Sequence, residues 1–365
     1  MKLLQRLSKL VWVLPLALLS LSLWLPPVHA ALPANTAISD PAMLLRRALP
    51  IDSADRKAIG KIQENLEDIT PRLKRNQWGK VKGDLNAVAL AVAENKQAAL
   101  LKAVPEDKQA QAQAALERLR ADLPKAMSVV EGQDKDQVRA IQAQLLSEVD
   151  EFEATLVKGF PFKVPDEYAS LPQLKGRATV EVVTSKGPLT VILDGYSAPL
   201  TAGNFVDLVQ RGFYDGLPFI RSEESYVLQT GDPAGPDQGF VDPSTGQLRT
   251  VPLEVRLQGE PELLYGITTE DAGLFRLDPV LPFSSFGAVA MARAESDVNS
   301  GSSQFFFFLF EPELTPAGRN LLDGRYAIFG YTTQGAEVLR ELKEGDKIVS
   351  ARVVSGAENL VQPTA

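Results

Sequence analysis

The hydrophobic period of this chain changes once along its length, and that change limits what it can fold into. Between Asp40 and about Lys158, apolar residues recur in steps of three and four. Ile59, Ile62, Leu66, Ile69 and Leu73 form one stripe, and Trp78, Val81, Leu85, Val88 and Val92 a second. Ala112, Leu116, Leu119 and Leu123 form a third, and Val138, Ile141, Leu145, Val149, Phe152 and Leu156 the last. Each stripe is the inward face of an amphipathic helix. From Ala178 the period becomes two, which is the period of strands. The reading is a multidomain α and β chain: a four-helix-type bundle with a short extra helix at 41–49, then a β-rich domain. Asp52-Ser53 reads as a helix start, and Pro124 is expected to end or kink the third helix.

The first thirty residues stand outside this pattern. Lys2, Arg6 and Lys9 precede an apolar run from Leu10 to Leu25, and Val28-His29-Ala30 fits a small-residue cleavage site. This is the pattern of a secretory signal peptide, so residues 1–30 are expected to be removed; the alternative, since the apolar run is slightly long for a signal, is an uncleaved membrane anchor, and either way the rest is exported. Removal takes away three positive charges and no acid, moving the formal net charge from -8 to -11. An acidic chain argues against a nucleic-acid partner. The sequence has no cysteine, and its one histidine, His29, lies in the signal. Ser-His-Asp triads, Cys-His pairs, ordinary zinc sites and a di-iron bundle are therefore excluded for the exported part. A carboxylate-dependent hydrolase finds no paired acids in a plausible cleft. No cofactor or metal is implied. The available chemistry is that of carboxylate, Lys, Arg, Tyr, Ser/Thr and Gln.

Pro161 and Pro165 cannot continue a helix, so 161–176 reads as a linker after a bundle at 31–160. Phe160 and Phe162 are large and apolar for a linker, which predicts a docked interface between bundle and β domain. Ala178–Thr184 and Leu189–Leu193 flank a turn and read as a hairpin. Thr201 reads as the N-cap of a helix that closes at Gly212. Strand pieces follow around Ser222-Glu-Glu-Ser225 and at Val251–Leu257, then an irregular, Pro-rich stretch over 258–283. Phe286–Leu309 reads as strand, polar loop, strand. Its second strand holds Gln304 and four consecutive phenylalanines and must be covered on both faces. Tyr326–Tyr331 reads as a strand, 334–343 as a helix and 347–354 as a last strand, leaving 357–365 as a tail.

Seven segments occur in an order that resembles the cyclophilin family: Asn204-Phe205, Gly212-Phe-Tyr-Asp-Gly216, Phe219-Ile-Arg221, Gln229-Thr-Gly-Asp-Pro233, Gly287-Ala-Val-Ala-Met-Ala292, Gly301-Ser-Ser-Gln-Phe-Phe306 and Leu322-Asp-Gly-Arg-Tyr-Ala-Ile-Phe-Gly330. Signal, helical domain and this domain together resemble the large thylakoid-lumen cyclophilins. The resemblance implies a closed eight-stranded antiparallel β-barrel over 177–356, capped by two helices. It implies peptidyl-prolyl cis-trans isomerase activity on proline-containing protein segments. It also implies a thylakoid-lumen or periplasmic location with no integral membrane span after signal cleavage, and a link to photosystem II subunits and their assembly or maintenance. Residue by residue, Arg221 matches the catalytic arginine. Tyr226, Gln229, Met291, Ala292, Arg293, Gln304, Phe306, Leu322 and Tyr326 match the substrate groove. The departures are Ile220 for the usual His, Tyr226 for Phe, Arg293 for Asn, Leu321 where many members have Trp, and Tyr326 for His. Two acids, Glu223 and Glu224, lie close to Arg221 and could compete for it, and the insertion 256–283 could cover the groove. The alternative reading is a catalytically weak or inactive binding scaffold whose groove is autoregulated by contact with the helical domain.

Overall fold

The computed structural model describes residues 38–310 and 320–363. The signal at 1–30 lies outside the described residues, as do 311–319. The helical part comprises α1 (Pro41–Ala48), α2 (Ser53–Glu67), α3 (Ile69–Lys74), α4 (Trp78–Ala91), α5 (Glu94–Leu101), α6 (Gln109–Glu131) and α7 (Lys135–Thr155). The first stripe is divided at Asp68 between α2 and α3, and α5 is a helix the stripes do not reveal. The four stripes do form the core: Ile59, Leu66, Val81, Val88, Leu116, Leu119, Leu145 and Val149 are all buried in one cluster. Pro124 does not end its helix. It sits inside α6, where Leu119, Leu123, Ala126 and Val130 are buried on either side of it. That packing outweighs the ~3 kcal/mol that an interior proline costs.

The second part contains β1 (Gln173–Leu174), β2 (Arg177–Thr184), β3 (Gly187–Asp194), α8 (Pro199–Gln210), β4 (Phe219–Glu223), β5 (Val227–Thr230), β6 (Val241–Asp242), β7 (Gln247–Leu248), β8 (Glu254–Arg256), β9 (Leu263–Tyr265), β10 (Ala288–Met291), β11 (Phe305–Phe308), β12 (Ile328–Gln334), α9 (Val338–Glu341), β13 (Ile348–Ser355) and β14 (Leu360–Val361). Eight strands form one antiparallel sheet in the order β13-β2-β3-β12-β10-β11-β5-β4. The sheet curls but does not close, so the expected closed barrel is corrected to an open half-barrel. Its edge strands meet at one corner only, where Phe219 N–H donates to Asp346 O at 2.7 Å and Ile348 N–H to Leu217 O at 2.9 Å. Leu217 and Phe219 make these bonds on either side of Pro218, which faces Lys347 without a hydrogen bond to it, so the proline costs the ladder nothing. Beyond the sheet, β1 pairs with β14, so the segment read as a tail carries a strand.

Helix α8 fills the concave side. Phe205 packs its ring 5.0 Å from Tyr214, 5.0 Å from Phe305 and 5.2 Å from Phe329. Thr201 is not its N-cap, because the helix begins at Pro199. Its first N–H groups are taken instead by the buried Glu254 carboxylate, which accepts from Leu200 at 3.2 Å and Thr201 at 2.5 Å. A negative group is favoured there by the helix dipole, but burial still pushes Glu254 up to about 7.

Helix α1 joins the two parts. Asp40 caps it through the Met43 N–H at 2.8 Å, and Pro41 opens it. One face turns the fully buried Arg46 to the bundle, where it pairs with Glu67 at 2.9 Å and with Asp150. The other face places Leu44, Leu45 and Ala48 against Phe306, Phe308, Ile328 and Tyr331 of the sheet. Arg256 Nη1 donates to Ala48 O at 2.6 Å, and Arg177 donates to Leu45 O. The two linker phenylalanines pack as expected: Phe160 stacks 6.3 Å from Tyr196, and Arg256 lies 4.7 Å over Phe162. Among the described residues no helix is long and apolar enough to cross a membrane.

Close to this junction Glu153 is buried with both carboxylate oxygens unpartnered. Burial, and then the neighbouring Asp150 charge, push it up to about 8. A raised folded-state value means that the stabilisation is complete below the ordinary carboxylate range and is lost as pH climbs toward 8. Glu153→Gln is therefore expected to raise the melting temperature by several degrees at pH 8 and by much less at pH 5. Equal gains at the two pH values in calorimetry would contradict this.

Candidate functional site

Strand β11 organises the site. Its side chains alternate, so Phe305 and Phe307 enter the interior cluster while Phe306 and Phe308 point to the opposite face. Residues paired across a ladder share a face. Phe306 is paired with Gln229 on β5 and with Ala290 on β10, and Gln229 is paired with Arg221 on β4. Arg221, Gln229 and Phe306 thus form one row across three strands. Strict alternation would put Arg221 on the same side as Phe219, which is buried in the interior cluster. The register shifts by one residue between Phe219 and Arg221. This bulge at Ile220 turns the guanidinium out to the row.

Around the row lies a cavity of about 280 Å³ lined by Arg221, Tyr226, Val227, Gln229, Ala292, Arg293, Phe306, Leu322 and Tyr326. Eight of these are residues singled out from sequence. Val227 was missed, since a valine at the start of a strand carries no polar signal. Gln304 stands behind the wall, accepting from Gln229 Nε2 at 2.8 Å while its own Nε2 donates to Asp232 at 2.7 Å and to Gln238 O at 3.0 Å. The amide of Gln229 is thereby fixed in orientation. The loop before Gln304 is tied to the interior by Asn204 Nδ2 donating to Ser302 O at 2.6 Å and the Tyr214 hydroxyl donating to Ser303 O at 3.0 Å. Gly231 permits the crossing, because its φ is +92° and a Cβ there would meet Ser303 O at 2.3 Å. Met291 is not brought to the cavity. It is paired with Phe305 and packs in the interior.

The floor is apolar and doubly backed. Phe283 stacks parallel to Phe306 at 6.0 Å, and Tyr326 meets Phe306 edge-on at 5.5 Å. Phe283 is held by its N–H, which donates to Asp323 at 2.8 Å, and its neighbour Pro282 accepts from the Tyr331 hydroxyl at 2.8 Å. No residue of 256–283 lines the cavity, so this insertion supports the floor and does not cover it. At the rim, Arg221 Nε donates to Glu223 at 2.7 Å, with both side chains half exposed. The carboxylate competition expected from sequence is present, and Glu223 supplies it. A larger cavity of about 530 Å³ opens between Ser222–Ser225 and Leu339–Glu344. Its apolar walls Leu309, Leu339 and Leu342 belong to the interior cluster, and it lacks the polar row.

Comparison with known proteins adds to this geometry. Residues 179–358 match the family described as cyclophilin type peptidyl-prolyl cis-trans isomerase. Residues 40–157 match a domain described as the PsbQ-like domain of CYP38-like peptidyl-prolyl cis-trans isomerases. A Synechocystis protein named for the thylakoid lumen and for peptidyl-prolyl cis-trans isomerase activity is 50% identical over 361 residues, covering 99% of this chain and 94% of that protein. The chloroplastic peptidyl-prolyl cis-trans isomerase CYP38 of Arabidopsis thaliana is 44% identical, covering 93% of this chain and 79% of its own. The chloroplastic CYP37 of the same plant is 32% identical, covering 97% and 78%.

If Phe283 carries the floor, Phe283→Ala should destabilise the protein by about 3–5 kcal/mol, the cost of emptying a buried phenylalanine site. It should also shift the Phe306 and Tyr326 ring resonances. Unchanged ring resonances would remove Phe283 from the site.

Proposed function

Because this chain belongs to the cyclophilin-type peptidyl-prolyl cis-trans isomerases, we propose that the cavity bounded by Arg221, Gln229 and Phe306 isomerises Xaa-Pro bonds in exported protein segments. The observation that carries this is the row itself: a cation, a fixed amide and an apolar floor on one face of three adjacent strands. The reaction breaks no σ bond and moves no proton between heavy atoms. Its barrier of ~20 kcal/mol is the loss of amide resonance on twisting. The proline ring sits on Phe306 between Tyr226, Val227 and Leu322. Gln229 holds the peptide backbone. Arg221 donates to the prolyl nitrogen or carbonyl and so favours the twisted, unconjugated amide over the planar one. Tyr226 adds a hydroxyl at the rim of an otherwise apolar pocket.

The compartment we assign is the thylakoid lumen, supported by the signal pattern and by the name of the Synechocystis relative. Photosystem II subunits, under assembly or maintenance, are proposed as clients on the family resemblance. A second reading, a binding scaffold tuned by the helical part, draws on one observation. Helix α1 shares one apolar cluster with Phe306 and packs on strand β12, so movement of the bundle would reach the pocket floor through that cluster.

A protease-coupled prolyl peptide assay tests the first reading. Arg221→Ala should lower kcat/KM by about 100-fold or more, the scale for losing one transition-state donor. Glu223→Gln should raise it about 1.5- to 5-fold, because a half-exposed pair is worth only ~0.2–1 kcal/mol. No rate above background in the parent protein or in Glu223→Gln would leave the scaffold reading.

A further inference from the structure

Two guanidinium groups face the cavity, and they differ in one respect. Arg221 has Glu223 as counterion. Arg293 is half-buried, and among the described residues it has no carboxylate within ion-pair distance. Its Nε donates to Arg325 O at 2.9 Å, and its Nη1 donates to Ala294 O at 2.9 Å and Glu295 O at 3.2 Å. Its guanidinium lies 4.9 Å over the Tyr326 ring. Three carbonyls and a ring hold the group in place and satisfy several donors, but none of them neutralises its charge. The neighbouring Arg325 is already paired with Glu270. Glu295 and Asp297 sit nearby with exposed side chains, and Glu295 meets Arg293 through its carbonyl alone.

A positioned, partly desolvated cation that has no carboxylate partner among the described residues and lines a ligand cavity is a receptor for an anion. Tyr326 fixes how far that anion is from the proline. Its ring is 5.5 Å from Phe306 and 4.9 Å from the guanidinium, so Arg293 is at most about 10 Å from the pocket floor. An extended peptide advances ~3.3–3.6 Å per residue. The ionic contact itself takes up about 3 Å of that distance, which leaves about two residue lengths, so the side chain that meets Arg293 belongs to a residue one or two positions from the proline.

We propose that Arg293 makes this groove selective for prolyl segments that carry an aspartate or glutamate within two residues of the proline. The idea rests on the groove being a prolyl-peptide site, but not on turnover there. The selectivity is local. The protein is acidic as a whole, with a formal net charge of -8, so its long-range field disfavours acidic peptides. Only a close, oriented contact can overcome that.

The test is equilibrium binding of short Xaa-Pro peptides to the full chain, read by calorimetry. Glu and Gln are compared at each of the two positions on either side of the proline. The expected result is one position where Glu binds about 5- to 10-fold tighter than Gln at low salt, the scale of a charge-assisted contact at a half-open site. Arg293→Gln should bring that ratio to about one, and Arg293→Lys should retain part of it. Equal affinity for Glu and Gln peptides at all four positions would overturn the proposal. So would a preference that survives in Arg293→Gln. If the peptides bind with the predicted preference but are not isomerised, the isomerase reading fails and the charge selectivity stands.

Discussion

Strand β11 has no polar face. Its four residues are phenylalanines, all buried, and the backbone alternation sends two to each side of the sheet. Burying one such side chain is worth ~1.5–3 kcal/mol, so a wet face would cost a sizeable part of a domain's net stability. Both sides must therefore be covered by other elements. On the concave side the cover is α8, through Phe205, and on the convex side it is α1 together with Phe283. The groove is the place where the convex cover stops. Phe306 is backed by Phe283, edged by Tyr326, and open toward the row of Gln229 and Arg221.

The proposed reaction suits a chain with no cysteine and a single histidine, His29, in the stretch read as a signal. Twisting an amide needs a dry pocket, a fixed grip and one donor placed to favour the unconjugated form. Arginine suits the last role because it stays charged at every physiological pH. The fold supplies the placement through a one-residue bulge at Ile220 and a chain of side-chain hydrogen bonds running from the Asp232 carboxylate through Gln304 to Gln229. The helical part belongs to the same construction. Helix α1 carries a buried arginine paired to the bundle on one face and three apolar residues under the pocket on the other.

Much of this was legible in the sequence where local signals carry it. The change of period separated the helical and β parts, and seven short segments pointed to Arg221, Gln229 and Phe306. What escaped depended on distant partners. Thr201 reads as a helix cap, yet the capping carboxylate is Glu254, more than fifty residues away. Met291 sits in a groove-like motif, yet its pairing with Phe305 sends it inward. Phe283 lies in an irregular proline-rich stretch with no periodic signal, and only the three-dimensional packing reveals it as the support of the floor. Closure of the sheet could not be read either. It depends on where β4 parts from β13, and no local signal marks that point.

The most direct test is two-dimensional exchange spectroscopy on an Xaa-Pro peptide at equilibrium with a catalytic amount of the full chain, with the amide and ring resonances of the protein followed in parallel. The account predicts cis–trans exchange cross-peaks that grow with protein concentration, together with shifts confined to β4, β5, β11 and the Leu322–Tyr326 turn. Absence of protein-dependent exchange, or shifts centred on the larger cavity near Leu339–Glu344, would contradict it.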